Sequence, residues 1–228
     1  MICDVQAHFT PKNYSDFMGD RFPPRVGVLP KTGIARYFLS DSPEDIQGRF
    51  EWMDEAGVGI QVLSPHHAPY LPDEAECVKG VRMLNDTYAD MAQRYPKRFR
   101  AFVALPLPHI DASLKEMARG FDELGCVGVN MQVVCLKKSV AEPEFEPIYA
   151  EMNRRGAVLF VHPAGSGILS PFVNDWGYRA EVGTSLEDAC FVLHMIASQI
   201  PTRYPNIKFI VPHLGGPIPM LLNRLDKQ

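Results

Sequence analysis

The chain has 228 residues, 46% of them hydrophobic and 22% charged, with a net charge of −4. That is enough for one substantial core, and the even charge balance excludes a basic nucleic-acid stripe or a charged tail. No apolar run reaches the ~18 residues of a membrane span. The N-terminus lacks the charged and apolar regions of a signal peptide, and the five scattered cysteines have no Cys-x-x-Cys spacing, so the expected setting is reducing and cytoplasmic.

Residues 2–8 read as a first strand, ending at His8. A Pro- and Gly-rich excursion over 11–42 is too long for an ordinary strand-to-helix connection and reads as an insertion loop over the active face or a subunit contact. Ser42 is the expected N-cap of a helix over 43–56, stopped by Gly57. The second strand spans 58–64, followed by a helix over 73–95 that Pro96 ends. Strand 99–105, helix 111–124, strand 126–131, helix 143–155 and strand 157–162 succeed one another. A helix over 185–200 and a sixth strand over 207–213 follow, and 217–227 is an incipient helix.

Six β-α units in succession predict an all-parallel sheet, with strands apolar on both faces because helices cover both sides. The spacing is about 40 residues per unit, so an eight-stranded barrel needs roughly 300. The expectation is therefore a single, incomplete α/β barrel domain over 1–228, TIM-like, with about six of eight units present and strands seven and eight missing. An open six-strand sheet exposes an edge, which makes a homodimer one expected partner state.

Three histidines end strand-like runs: His8, His162 and His213. Each alone reads most simply as a ring satisfied by a backbone carbonyl. Together they share one position type, the C-terminal strand end where barrel chemistry is done, and three imidazoles there point to a divalent metal. Gln6 and His8 are two residues apart and so face the same side of a strand; Asp4 reads as structural. His66 and His67 follow the second strand directly, at the mouth. They are candidate substrate contacts, as are Asn130, Trp176 and Arg179 from their positions after strands or in long loops. His194 reads as a helix-face or packing residue and His109 as a rim residue. The Gly165-Ser166-Gly167 loop lacks the spacing of a phosphate cradle.

At these residues the chain resembles the metal-dependent amidohydrolase superfamily, within it the group of aminocarboxymuconate-semialdehyde and resorcylate decarboxylases. The resemblance rests on Asp4-Val5-Gln6-Ala7-His8-Phe9-Thr10-Pro11, on Val161-His162-Pro163, and on Tyr204-Pro205-Asn206-Ile207-Lys208 leading into Pro212-His213-Leu214-Gly215-Gly216, with Pro219 and Arg224-Leu225-Asp226 beyond. It implies a (β/α)₈ barrel with one divalent ion, Zn²⁺ first and Mn²⁺ second. His8 and His162 map to ligands, Gln6 to a ligand position that is His or Glu in the family, and His213 to the acid/base beside the metal. The family's strand-eight aspartate has no counterpart here. The implied function is removal of CO₂ from a small aromatic or enolic carboxylic acid. A metal-dependent hydrolase of a small amide, lactone or ester, or a non-catalytic relative that has lost its metal, are the alternatives.

Overall fold

The structure, a computed structural model, describes residues 1–21, 41–164, 173 and 175–227. Six strands form one sheet: β1 (Ile2–His8), β2 (Val58–Ser64), β3 (Phe99–Ala104), β4 (Gly128–Gln132), β7 (Val158–His162) and β8 (Lys208–Ile210). Every neighbouring pair is parallel, and the spatial order is the chain order, β1-β2-β3-β4-β7-β8. A doubly wound sheet reverses its order at a switch point; a barrel does not. The progressive order is that of a curling barrel wall.

The packing shows the same curvature. Residues that point to the helices, among them Leu63, Val103, Val129, Met131 and Leu159, belong to the large core. Val62, Phe102 and Phe160 form a separate inner cluster with Val5, Val158 and Ile210 against it. Phe102 and Phe160 stack there at 5.4 Å with an interplanar angle of 19°. A sheet with its own inner core is concave on that side, and this core is the floor beneath the strand ends.

The helices follow local chemistry. In α2 (Pro43–Glu55) Ser42 Oγ accepts the Asp45 N–H and Pro43 fills the first turn, as a capped start requires. In α3 (Glu74–Arg94) Asp73 accepts the Glu76 N–H at 2.8 Å. α4 (Ile110–Asp122) follows β3, and α5 (Glu146–Arg155) stops at Gly156, which takes the left-handed conformation at φ 62°. α6 (Thr184–Ala197) and the short α7 (Ile200–Arg203) lead to β8, and α8 (Ile218–Leu225) closes the described chain. Within the 11–42 excursion, Lys12–Met18 form α1, and 22–40 lie outside the described residues.

The elements after β3 depart from the sequence reading in several places. β4 begins at Gly128 rather than at 126. The helix expected from 143 starts as a 3₁₀ turn, Pro143–Phe145. A hairpin, β5 (Val134–Cys135) and β6 (Lys138–Ser139), follows β4 unannounced. Its two-residue turn puts Leu136 and Lys137 at φ 46° and 71°, a conformation usually signalled by Asn or Gly, so no turn signal was there to read.

One buried polar network pins β3 between two helices. Asn85 of α3 donates to the Ala104 carbonyl at 3.0 Å and to Glu116 of α4 at 2.8 Å, and its Oδ1 accepts the Ala104 N–H at 2.9 Å. Arg119 holds the same Glu116 carboxylate through two nitrogens. Asn85→Ala strands these groups without water, at a cost of about 3 kcal/mol, to be read by urea denaturation. An unchanged midpoint would mean that the network contributes nothing.

Candidate active site

The C-terminal ends of β1, β2 and β7 bring four imidazoles together. The His8 and His162 rings lie 4.4 Å apart, centroid to centroid. His66, just beyond β2, is 5.0 Å from His8 and 5.3 Å from His162, and His67 packs on His66 at 4.2 Å. His213 approaches from the far side, 6.3 Å from His162. The structure thus groups five of the residues singled out from the sequence at one mouth. Among the described residues, no three His, Cys, Asp or Glu side chains form a group that could by itself hold a metal ion.

His162 is fixed by its own chain. Its Nδ1 lies 2.9 Å from the Pro163 carbonyl, so Nδ1 carries the proton and Nε2 keeps a lone pair. His8 is fixed through its backbone: Arg49, buried in α2, donates to the His8 carbonyl at 2.7 Å and to Gln61 at 2.9 Å. Gln61 donates on to Asp4 Oδ2, whose Oδ1 accepts the Gln6 N–H. Asp4 is structural, as read. Burial first, then the neighbouring His66, lowers the His8 pKa to about 3. Burial, with His8 next, takes His162 well below its ordinary value, and burial lowers His66 as well. These rings are neutral at physiological pH, the form that ligates metals.

His213 sits differently from expectation. β8 ends at Ile210, not at 213. Pro212 has no N–H to extend the ladder, and the chain enters a left-handed turn with positive φ from His213 through Gly216. That turn places His213 Nδ1 2.7 Å from Asp188 Oδ2 and its Nε2 2.9 Å from Gln6 Nε2. Asp188, on α6, is 0% exposed. Burial pushes its carboxyl up to about 6, with His213 pulling the other way. The preceding Glu187 accepts the Ala164 N–H at 2.6 Å and so ties α6 to the segment leaving β7.

The turn also demands its glycine. A Cβ on Gly216, at φ 60°, would collide with the Ser185 carbonyl at the start of α6. Gly216→Ala should therefore cost about 1–3 kcal/mol and draw His213 away from Asp188. A thermal melt reads the first effect. An unshifted melt would mean that the turn tolerates a side chain.

Asp188 is one residue that the sequence reading missed, and a signal for a buried partner existed: Glu187-Asp188 are two acids inside an otherwise apolar helix, where charges stay only with partners. Asn130 and Gln132 line the inner face of β4; Asn130 is buried, with Oδ1 unpartnered among the described residues, and Gln132 Nε2 lies 3.4 Å from the His66 carbonyl. Trp176 stands 75% exposed and joins none of these ring contacts. The Arg179 side chain and the Gly165-Ser166-Gly167 loop lie outside what the structure describes. His109 bonds the Leu71 carbonyl, and His194, exposed on α6, bonds Ser139.

The sequence profile described as amidohydrolase matches residues 3–227. The chain belongs to the amidohydrolase family. The chain is 28% identical over 183 residues to 2-amino-3-carboxymuconate-6-semialdehyde decarboxylase of Dictyostelium discoideum, a match over 78% of this chain and 50% of the relative. It is 29% identical over 203 residues to gamma-resorcylate decarboxylase of Rhodococcus jostii strain RHA1, over 80% of this chain and 60% of the relative. The chain thus spans half to three-fifths of the length of these curated relatives. It superposes with a TM-score of 0.76 at 21% identity on dihydroxybenzoic acid decarboxylase of Polaromonas sp. JS666, a structure with bound manganese and 2-nitroresorcinol, covering 97% of this chain and 68% of that one. The parallel six-strand wall is the corresponding part of a TIM-type barrel. Among the described residues, no helix is long and apolar enough to cross a membrane.

Proposed function

We propose that this chain is part of a metal-dependent decarboxylase that removes CO₂ from a small aromatic or enolic carboxylic acid. The observation that carries it is the pair of neutral, ring-packed imidazoles, His8 and His162, beside a His213–Asp188 pair at the strand ends. The decarboxylase names of the Dictyostelium and Rhodococcus relatives support the same reading.

The residues fit a divalent ion in one specific respect. Among the described residues His8 Nδ1 is buried without a full hydrogen bond, the Ser64 backbone being the polar group that approaches the ring, and a buried nitrogen so poorly satisfied costs stability unless something binds it. His162 keeps its proton on Nδ1, and among the described residues no carbonyl is bonded to its Nε2. His8 and His162 would hold the ion, zinc in our first assignment and manganese, as in the Polaromonas structure, in our second. When bound, a divalent ion supplies Lewis-acid stabilisation of charge on substrate oxygens.

The remaining roles fall to the chain. The floor of Val62, Phe102 and Phe160 is apolar and suits a flat ring; Phe160 lies two residues before His162 on the same face, with centroids 6.2 Å apart. Loss of CO₂ breaks the ring-carbon-to-carboxyl bond and leaves its electron pair on that carbon, which must then take a proton. His213 would relay it, its Nε2 taking a proton from a donor group of the bound acid or from water and passing it to that carbon. His66 and His67 line the entrance.

The test is to load the chain with Zn²⁺ or Mn²⁺ and offer a panel of hydroxybenzoates and muconate-type acids. The expected result is metal-dependent CO₂ release with a decarboxylated product. No CO₂ from any of them, or a new carboxylate from amides and esters instead, would replace the decarboxylase reading with the hydrolase one.

A further inference from the structure

We propose that Asp188 and Gln6 are positioning residues that grip the two ring nitrogens of His213, keep its proton on Nδ1 and present its Nε2 as the site's proton-exchanging atom. The inference rests on the role given to His213 in the preceding reading and adds how the fold prepares that ring.

The first support is what Asp188 lacks. A carboxylate that is 0% exposed needs hydrogen bonds, yet among the described residues Oδ1 of Asp188 has no partner and Oδ2 meets His213 Nδ1 at 2.7 Å. A buried acid with one partner is poor stabilising chemistry. It is good orienting chemistry, because a carboxylate only accepts and thereby requires a proton on Nδ1.

The second support is the opposite nitrogen. With Nδ1 protonated, the neutral ring has a lone pair on Nε2, and only a donor can sit 2.9 Å away. The Gln6 amide nitrogen is there. The two contacts therefore agree on one tautomer. Reversing it would require Asp188 to hold the proton and Gln6 to turn its carbonyl to Nε2. Gln6 thus serves His213 at a strand position where the family resemblance leads one to expect a metal ligand.

The third support is backbone geometry. His213 is held at φ 48° and Leu214 at φ 56°, conformations that cost energy in residues with side chains and persist only where surroundings over-determine them. Here Gly216 seats against the Ser185 carbonyl at the start of α6, and Glu187 anchors the same helix turn to the Ala164 N–H. The strain holds the ring over Asp188, next to His162. A donor-bearing substrate group that displaces the Gln6 amide would meet Nε2 already aimed.

The experiment is long-range ¹H–¹⁵N correlation of the histidine rings in the full labelled chain, assigned through His213→Gln, at pH 7.5. Wild type should show His213 protonated on Nδ1. Asp188→Asn offers an amide donor to Nδ1 and should move the proton to Nε2, whereas Asp188→Glu should restore the Nδ1 form. Gln6→Leu should leave the proton on Nδ1, where Asp188 still requires it, but shift the Nε2 resonance as its amide donor is lost; an unmoved Nε2 resonance would remove Gln6 from the grip. In turnover, Asp188→Asn should lower kcat by about a hundredfold or more with KM little changed, and Asp188→Glu should recover part of it. A wild-type ring protonated on Nε2, or a tautomer that ignores Asp188→Asn, overturns the proposal. If Asp188→Asn fails to fold, the wild-type and Asp188→Glu spectra still decide. The tautomer is read without turnover, so a correct ring pattern in a chain that releases no CO₂ sinks the decarboxylase reading alone.

Discussion

Replacing His162 by alanine should abolish metal-dependent turnover while the fold survives. His162 closes β7, its Nδ1 is bound to the Pro163 carbonyl, and it packs 4.4 Å from His8. Removing it leaves His8 as the lone imidazole ligand of the proposed ion. If the ion supplies even ~4 kcal/mol of charge stabilisation, its loss is about a thousandfold in rate at 1.36 kcal/mol per tenfold. The structural cost is smaller: one hydrogen bond at about 1 kcal/mol and a ring-sized void. His162→Phe fills that void without a nitrogen, so it separates ligand loss from packing loss. Both variants should bind less than stoichiometric metal by elemental analysis and release no CO₂. Retention of the ion and of turnover in either would remove His162 from the centre.

The barrel wall was legible because parallel strands buried on both faces are short apolar runs, and six of them recur with helices between. Chain order then became spatial order, since each crossover returns beside the strand that it left. The histidine mouth was legible for a related reason: in this architecture a strand's last residue and the site are the same place. Asp188 was not legible as a partner, because its approach to His213 depends on how far α6 leans over the β8 turn. No periodicity in 185–200 encodes that. The turn itself was misread as strand. Val211 and Pro212 continue an apolar run, but ladder pairing stops where the proline N–H is missing, and the two glycines beyond mark the reversal. Arg49 was missed because a buried arginine in a helix looks, in sequence, like any solvated one. Its role became visible only when Gln61, Asp4 and the His8 carbonyl met around it.

The same crowding of imidazoles makes the metal-free protein acid-sensitive in a defined window. His8 has a folded pKa of about 3 against 6.5 unfolded, because burial and then His66 oppose its charge. The unfolded chain therefore binds the extra proton, and stability is complete above pH 6.5 and falls as pH drops towards 3. At about 1.4 kcal/mol per unit, His8 alone costs roughly 2 kcal/mol by pH 5, and His162, shifted in the same direction, adds to it. Asp188 works the other way. Its folded pKa of about 6 lies above the unfolded value, so protonation below pH 6 restores roughly 1.4 kcal/mol by pH 5. Two lowered histidines outweigh one raised carboxyl, and the net change is a loss. Urea denaturation of chelator-treated protein at pH 7.5, 6 and 5 measures it. His8→Phe, which cannot take the proton, should flatten the fall, and Asp188→Asn should steepen it. Equal stability across that range in the wild type would mean that these rings are hydrated and free to charge, and that the mouth is not the desolvated pocket on which the metal centre depends.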